Sequence, residues 1–261
     1  MKLRMFVVNA FAETPFGGNP AAVVLLDDWL SDELLLHVAA QNNLAETAFV
    51  VPQGDDFSIR WLTPAVEVKL CGHATLASAH VYFNHLGYGK EKITFQSKSG
   101  PLHVTKQGDK KLTLDFPADT ITPVHEMEAI ASALHIEPVA IYKSSFDYMV
   151  IANSQSEIEN LSPDLGILKK LPSRGTIVTA KGDEVDFVSR CFFPQSGIDE
   201  DPVTGSAHTA MTPYWTRELK KSKLSAIQLS PRKGYLECQL MGDRVFISGS
   251  ANTYLEGEIF I

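Results

Sequence analysis

Two distant stretches of this chain have the same form, and their spacing constrains the fold more than any other feature. Cys71-Gly72-His73-Ala74 aligns with Thr204-Gly205-Ser206-Ala207 at an offset of 133 residues. Gly100, Leu102, Gly108 and Asp109 align with Gly234, Leu236, Gly242 and Asp243 at an offset of 134. The chain has 261 residues, so both offsets are close to half its length. Collinear matches at nearly one offset point to an internal duplication. A duplicated chain of this size is expected to form two related lobes, residues 1–117 and 118–261, with a C-terminal segment able to pair back onto the first lobe. A cleft between two such lobes is a preferred place for a small-molecule site.

Hydrophobic periodicity gives both halves the same order: strand, strand, helix, strand, strand, helix and three strands. In the first half the strands fall at residues 2–8, 21–26, 47–51 and 57–61, then at 92–97, 102–106 and 111–116. Pro52 is expected to stop the third of them, and a Gly108-Asp109 turn to join the last two. Ser31 can cap a helix whose first turn holds Asp32 and Glu33, with Leu34, Leu35, Val38 and Ala39 on one face. Residues 72–86 begin small and apolar all round, as a buried helix does. After a helix expected at 125–134 the order runs again, with helices at 163–170 and 205–219 and strands at 139–143, 148–152, 176–179, 185–193, 224–229, 235–240 and 244–248. Pro213 should kink or shorten the helix at 205–219.

Composition narrows the chemistry. Hydrophobic residues make up 44% and charged residues 21%, as in a globular protein. Lys plus Arg number 23 against 31 Asp plus Glu, a net charge of −8, which argues against nucleic acid as a partner. The apolar runs are far shorter than the roughly 20 residues of a membrane helix, and no signal peptide is visible, so a cytoplasmic protein is expected. Three separated cysteines, Cys71, Cys191 and Cys238, make neither a disulfide framework nor a zinc ribbon. HExxH, GxGxxG, phosphate-loop and GxSxG patterns are missing, and no metal or cofactor is expected.

Four stretches could carry chemistry. Gly72 and Gly205 each open a helix, whose free N–H groups attract anions and whose glycine lets a ligand approach closely. The same glycines would also suit tightly packed helix starts. Asp199-Glu200-Asp201 precedes the second of these helices and can serve its dipole. Asp201 could instead polarise a histidine, for which His73 at the mirrored helix start is the natural partner. Glu46 lies between Leu44, Ala45, Ala48 and Phe49. Half-buried there it suits a group that both gives and takes a proton, whereas in an exposed loop it would be only a solvated carboxylate. Gly17-Gly18-Asn19-Pro20 is a tight turn whose asparagine can donate and accept hydrogen bonds.

Together with Val8-Asn9-Ala10-Phe11, Gly18-Asn19-Pro20-Ala21-Ala22-Val23, Ala45-Glu46-Thr47-Ala48-Phe49, Trp61-Leu62-Thr63-Pro64-Ala65, Cys71-Gly72-His73-Ala74-Thr75 and Glu200-Asp201-Pro202-Val203-Thr204-Gly205-Ser206-Ala207, these stretches make the chain resemble the phenazine-biosynthesis isomerase (PhzF-like) family. The resemblance implies an α+β, diaminopimelate-epimerase-like fold. In it, two pseudo-symmetric lobes are each a curled, mostly antiparallel sheet wrapped around a central helix. It implies a cofactor-independent isomerase, commonly a homodimer, acting on a small carboxylate-bearing cyclic substrate. Glu46 would be the proton shuttle, and His73, Asp201 and Ser206 would complete the catalytic set. Asn19, Gly72 and Gly205 would bind the substrate. Related epimerases use a cysteine at each helix start. Here Cys71 faces Thr204 in the alignment, and a threonine hydroxyl is too weakly acidic to be the second base. A racemase, epimerase or dehydratase acting on an amino-acid-like substrate, and a non-catalytic small-acid binding protein, are the alternative readings.

Overall fold

The computed structural model describes residues 1–108, 111–125 and 128–261. Asp109 of the expected turn, and Glu126 and Met127 of the expected helix, lie outside the described residues. The chain forms two compact units, Met1–Asp115 with Ser248–Ile261, and Phe116–Ile247.

The first unit contains β1 (Lys2–Ala10), β2 (Asn19–Leu25), α1 (Asp32–Asn42), β3 (Glu46–Gln53), β4 (Asp56–Leu62), β5 (Glu67–Val68), α2 (Gly72–Asn84), β6 (Lys92–Ser97), β7 (Gly100–Gln107) and β8 (Lys111–Pro117). Its strands close into a ring. Antiparallel pairs join β1 to β2, β3 to β4, β6 to β7 and β7 to β8, and parallel pairs join β2 to β3 and β4 to β6. The last strand of the chain fills the remaining place, pairing with β8 and running antiparallel to β1.

Helix α2 sits inside this ring, packed on β1, β2, β3 and β7. Its sequence explains the position. Eleven of its thirteen residues are buried, so it has no polar stripe to turn to water. Ala74, Ala77, Ser78 and Ala79 let strands approach from several sides, and the Ser78 hydroxyl donates to the Ala74 carbonyl instead of facing an apolar wall unpaired. Helix α1 is of the ordinary surface kind. Ser31 Oγ accepts from the Leu34 amide, and Leu35, Val38 and Ala39 pack with Val24, Phe49 and Leu62. Full burial of such a side chain contributes about 1.5–3 kcal/mol. At Gly18, φ is +67° and an added Cβ would stand 2.2 Å from the Ala10 carbonyl oxygen, so the turn ahead of Asn19 requires glycine.

The second unit contains β9 (Thr122–Pro123), α3 (Glu128–Leu134), β10 (Ala140–Lys143), β11 (Asp147–Ile151), α4 (Gln155–Glu159), α5 (Leu165–Leu168), β12 (Gly175–Lys181), β13 (Phe187–Phe193), β14 (Ile198–Asp201), α6 (Gly205–Leu219), β15 (Lys223–Gln228) and β16 (Gly234–Met241). The final strand, β17 (Arg244–Phe260), contributes to both units. Strand pairing repeats that of the first unit: β10 to β11 antiparallel, β11 to β12 parallel, β12 to β13 antiparallel, β13 to β15 parallel and β15 to β16 antiparallel. Helix α6 takes the part of α2, packing on β11, β15 and β16. The fold is α+β, and each unit is a curled, mostly antiparallel sheet around one central helix.

Three local readings change. Strand β3 runs through Pro52 to Gln53, because Pro52 pairs with Phe57 at the very end of a hairpin, where a missing N–H costs little. Asp199, Glu200 and Asp201 belong to a short strand, β14, rather than to a free acidic run. Helix α6 continues past Pro213 to Leu219. A proline at 213 leaves the Thr209 carbonyl without its helical donor. The Asp119 amide takes it at 3.1 Å, so the broken rung is repaired from outside the helix.

Candidate active site

In the first unit the duplicated helix start gathers four side chains singled out by the sequence. Gly72 and His73 open α2, Cys71 is its N-cap, Glu46 opens β3 and Asn19 opens β2. The parallel pairing of β2 with β3, with Ala21 opposite Glu46, brings the two strand starts side by side. His73 Nε2 lies 3.3 Å from Glu46 Oε2. On the other edge of the ring, His73 Nδ1 is 3.2 Å from Asn19 Nδ2 and 3.5 Å from Cys71 Sγ. The Asn19 amide donates to Nδ1, which leaves the proton on Nε2, facing the carboxylate. His73 is 4% exposed, and burial pushes its pKa down to about 3. The nearby Glu46 carboxylate favours the imidazolium, but desolvation dominates. The contact is therefore between a carboxylate and a neutral imidazole, rather than an ion pair.

Glu46, Cys71 and His73 offer ligand atoms within 4.8 Å of one another. Cys71 approaches Nδ1 and Glu46 approaches Nε2. The three ligand atoms are near enough to one another to face a common small ligand or ion. A separate cavity of about 510 Å³ in the first unit, lined by Glu13, His80, Asn84, Lys106 and Asn252 among others, touches none of the four.

In the second unit the helix start gathers a different set. Asp201 Oδ2 accepts from Thr204 Oγ1 at 2.5 Å. Gln228 donates to the Asp201 carbonyl and accepts from the Thr204 amide, which fixes the turn into Gly205. Both carboxylate oxygens of Glu200 are held by the Nε–Nη2 edge of the Arg190 guanidinium. Ser206 Oγ accepts from Arg174 Nη2 at 3.0 Å. Arg174 in turn makes a two-point contact with Asp147, which is 2% exposed. Burial opposes the Arg174 charge, but the Asp147 carboxylate overcomes this and holds the guanidinium pKa above its ordinary value.

The sequence reading singled out Asp201 and Ser206 but not their neighbours Arg174, Asp147 and Gln228. None of the three stands in a recognisable motif. Only the alignment of strand starts, Glu46 opening β3 and Gly175 opening β12, marks the neighbourhood of Arg174. Neither Cys71 nor Thr204 caps its helix with its side chain, which leaves first-turn amides for other acceptors.

These features define an α+β protein of two similarly built units, with a histidine–carboxylate pair at one helix start and a serine at its duplicate. The sequence profile of the phenazine biosynthesis-like protein family matches residues 8–257. An uncharacterized isomerase of Pseudomonas aeruginosa is 48% identical over 261 residues, all of both chains. A crystal structure of a phenazine biosynthesis protein of the PhzF family from Enterococcus faecalis superposes with a TM-score of 0.97 at 43% identity, covering all of both chains. A probable proline racemase from Agrobacterium radiobacter, 9% identical, shares the fold at a TM-score of 0.65, over 99% of this chain and 92% of that one. The chain belongs to the phenazine biosynthesis-like family, and its enzyme class is isomerase. No helix among the described residues is long and apolar enough to cross a membrane.

Proposed function

We propose that the protein is a cofactor-independent isomerase that moves a proton between two carbons of a small, cyclic, carboxylate-bearing substrate, with Glu46 as the carrier. The observation that supports this most is the pairing of a half-buried carboxylate, 13% exposed, with a neutral and buried imidazole. Because that ring is neutral, His73 does not compete with a substrate proton through an ion pair. The Nε2–H of His73 can orient the Glu46 carboxylate before the first transfer and after the second, and Asn19 fixes the ring that supplies it. His73 therefore acts in this reading as a hydrogen-bond donor and not as a second base.

The proposal also assigns Asp201 and Ser206 to the reaction, and Gly72 and Gly205 to substrate binding. In each unit, the uncapped first-turn amides and the glycine at the helix start support a capacity to take an anion. A homodimer in the cytoplasm is part of the same reading and rests on family resemblance.

Glu46→Gln tests the central claim. It keeps the side chain's shape and removes the base. Deuterium incorporation from heavy water into a panel of small cyclic carboxylic acids should fall by about 10²–10⁴. Turnover surviving within a few-fold would remove Glu46 from the role. One observation favours a second reading, a racemase or dehydratase with a thiol base: Cys71 Sγ touches the same imidazole, 3.5 Å from Nδ1.

A further inference from the structure

The duplication places unlike residues at like positions. In the first unit the helix-start side chain His73 meets an acid, Glu46, at the head of β3. In the second, the helix-start side chain Ser206 meets a base, Arg174, immediately ahead of β12. We infer that Arg174 is a substrate-anchoring residue and that its guanidinium and the Ser206 hydroxyl together take a carboxylate. The inference rests on the acid-isomerase reading above and adds a specificity residue to it.

The guanidinium is built in rather than draped on the surface. Asp147 holds Nε and Nη2, while the Phe146 and Phe193 rings lie 5.4 and 5.2 Å from its central carbon. The remaining nitrogen, Nη1, has no hydrogen-bond partner among the described residues, and the side chain keeps 35% of its surface exposed. A cation fixed in place by a buried acid and two aromatic faces loses little freedom on binding.

Ser206 completes the pair. Its oxygen accepts from Nη2, so its own hydrogen must be donated elsewhere. No acceptor for it is present among the described residues. One anion oxygen can therefore take the Ser206 hydrogen and another an Nη1 hydrogen. A purely structural Arg174 would need only Asp147, and would leave this second set of donors without purpose.

The test reads binding, so its result is independent of whether Glu46 moves a proton. Benzoate and its neutral analogue benzamide are titrated into the full chain and followed by amide NMR. The wild type should bind benzoate more tightly than benzamide. Arg174→Lys keeps the charge opposite Asp147 but loses the fork, and should weaken benzoate by about tenfold while leaving benzamide unchanged. Ser206→Ala should weaken benzoate too, and the double variant should lose less than the sum of the two. In Arg174→Ala, added guanidinium ion should restore part of the benzoate affinity. Benzoate binding within twofold of wild type in folded Arg174→Lys overturns the inference. So does a wild type that fails to prefer benzoate. Should Arg174→Lys not fold, unchanged benzoate affinity in Ser206→Ala overturns it equally.

Discussion

Acid should destabilise this protein well above the pH at which carboxylates titrate, and His208 gives a measurable share of the effect. The ring is wholly buried in α6, with Nδ1 donating to the Thr204 carbonyl at 2.8 Å and Phe187 at its side. Burial lowers its pKa from 6.5 to about 4, against the smaller opposing pull of that carbonyl. The folded pKa lies below the unfolded one, so between the two values the unfolded chain carries a proton that the folded chain refuses. The contribution is complete above 6.5 and is lost progressively as pH falls towards the folded value. At about 1.4 kcal/mol per pKa unit, moving from about pH 7.5 to about pH 5 removes about 2 kcal/mol through this one ring. Against a typical total of 5–15 kcal/mol, that is a substantial loss. Urea unfolding of wild type and His208→Gln at several pH values measures it. The variant starts from a lower baseline, but its stability should fall about 2 kcal/mol less over the interval. Parallel curves for the two proteins would refute the reasoning. His73, lowered to about 3 by burial, acts with the same sign.

Gly234→Ala should cost about 1–3 kcal/mol, read as a lower melting temperature, since the new Cβ would stand 2.1 Å from Val203 Cγ2 beside the turn into α6. Cys71→Ser should retain deuterium exchange within a few-fold if Glu46 is the proton carrier; a loss above about a hundredfold would support the thiol as base instead.

Much of this was readable from the chain, and the pattern of success is physical. Helix α2 announces itself because glycine opens it and small or apolar residues follow without a polar stripe; α6 shares the glycine start but carries polar residues such as His208, Thr212 and Arg217. Strand β6 was placed correctly at both ends, since its alternation is local. Strand β17 was cut short at Ser248. Its far half carries exposed Tyr254 and Leu255 and gains its order from pairing with β1, a partner at the other end of the sequence. The Asn19, His73 and Glu46 residues were legible as separate motifs, but not as one cluster, because it depends on β2 and β3 running side by side. Arg190 and Arg174, which hold Glu200 and Ser206, had no local signature at all. Charged side chains find such partners through sheet register, which composition does not encode. His80 and His85 sit five positions apart, and both rings reach the same Thr253 hydroxyl.

Pro213 has an effect opposite to the one its chemistry suggests in isolation. By vacating an acceptor at Thr209, it gives the segment around Asp119 a place to fasten. Asp119 carries the fastening further, since its carboxylate takes the Ser145 amide and hydroxyl, and the neighbouring Ala118 amide reaches the Asp243 carbonyl. An imino acid in mid-helix thereby becomes the peg on which an otherwise irregular stretch of backbone hangs. Slow exchange of the Asp119 amide hydrogen would be its visible trace.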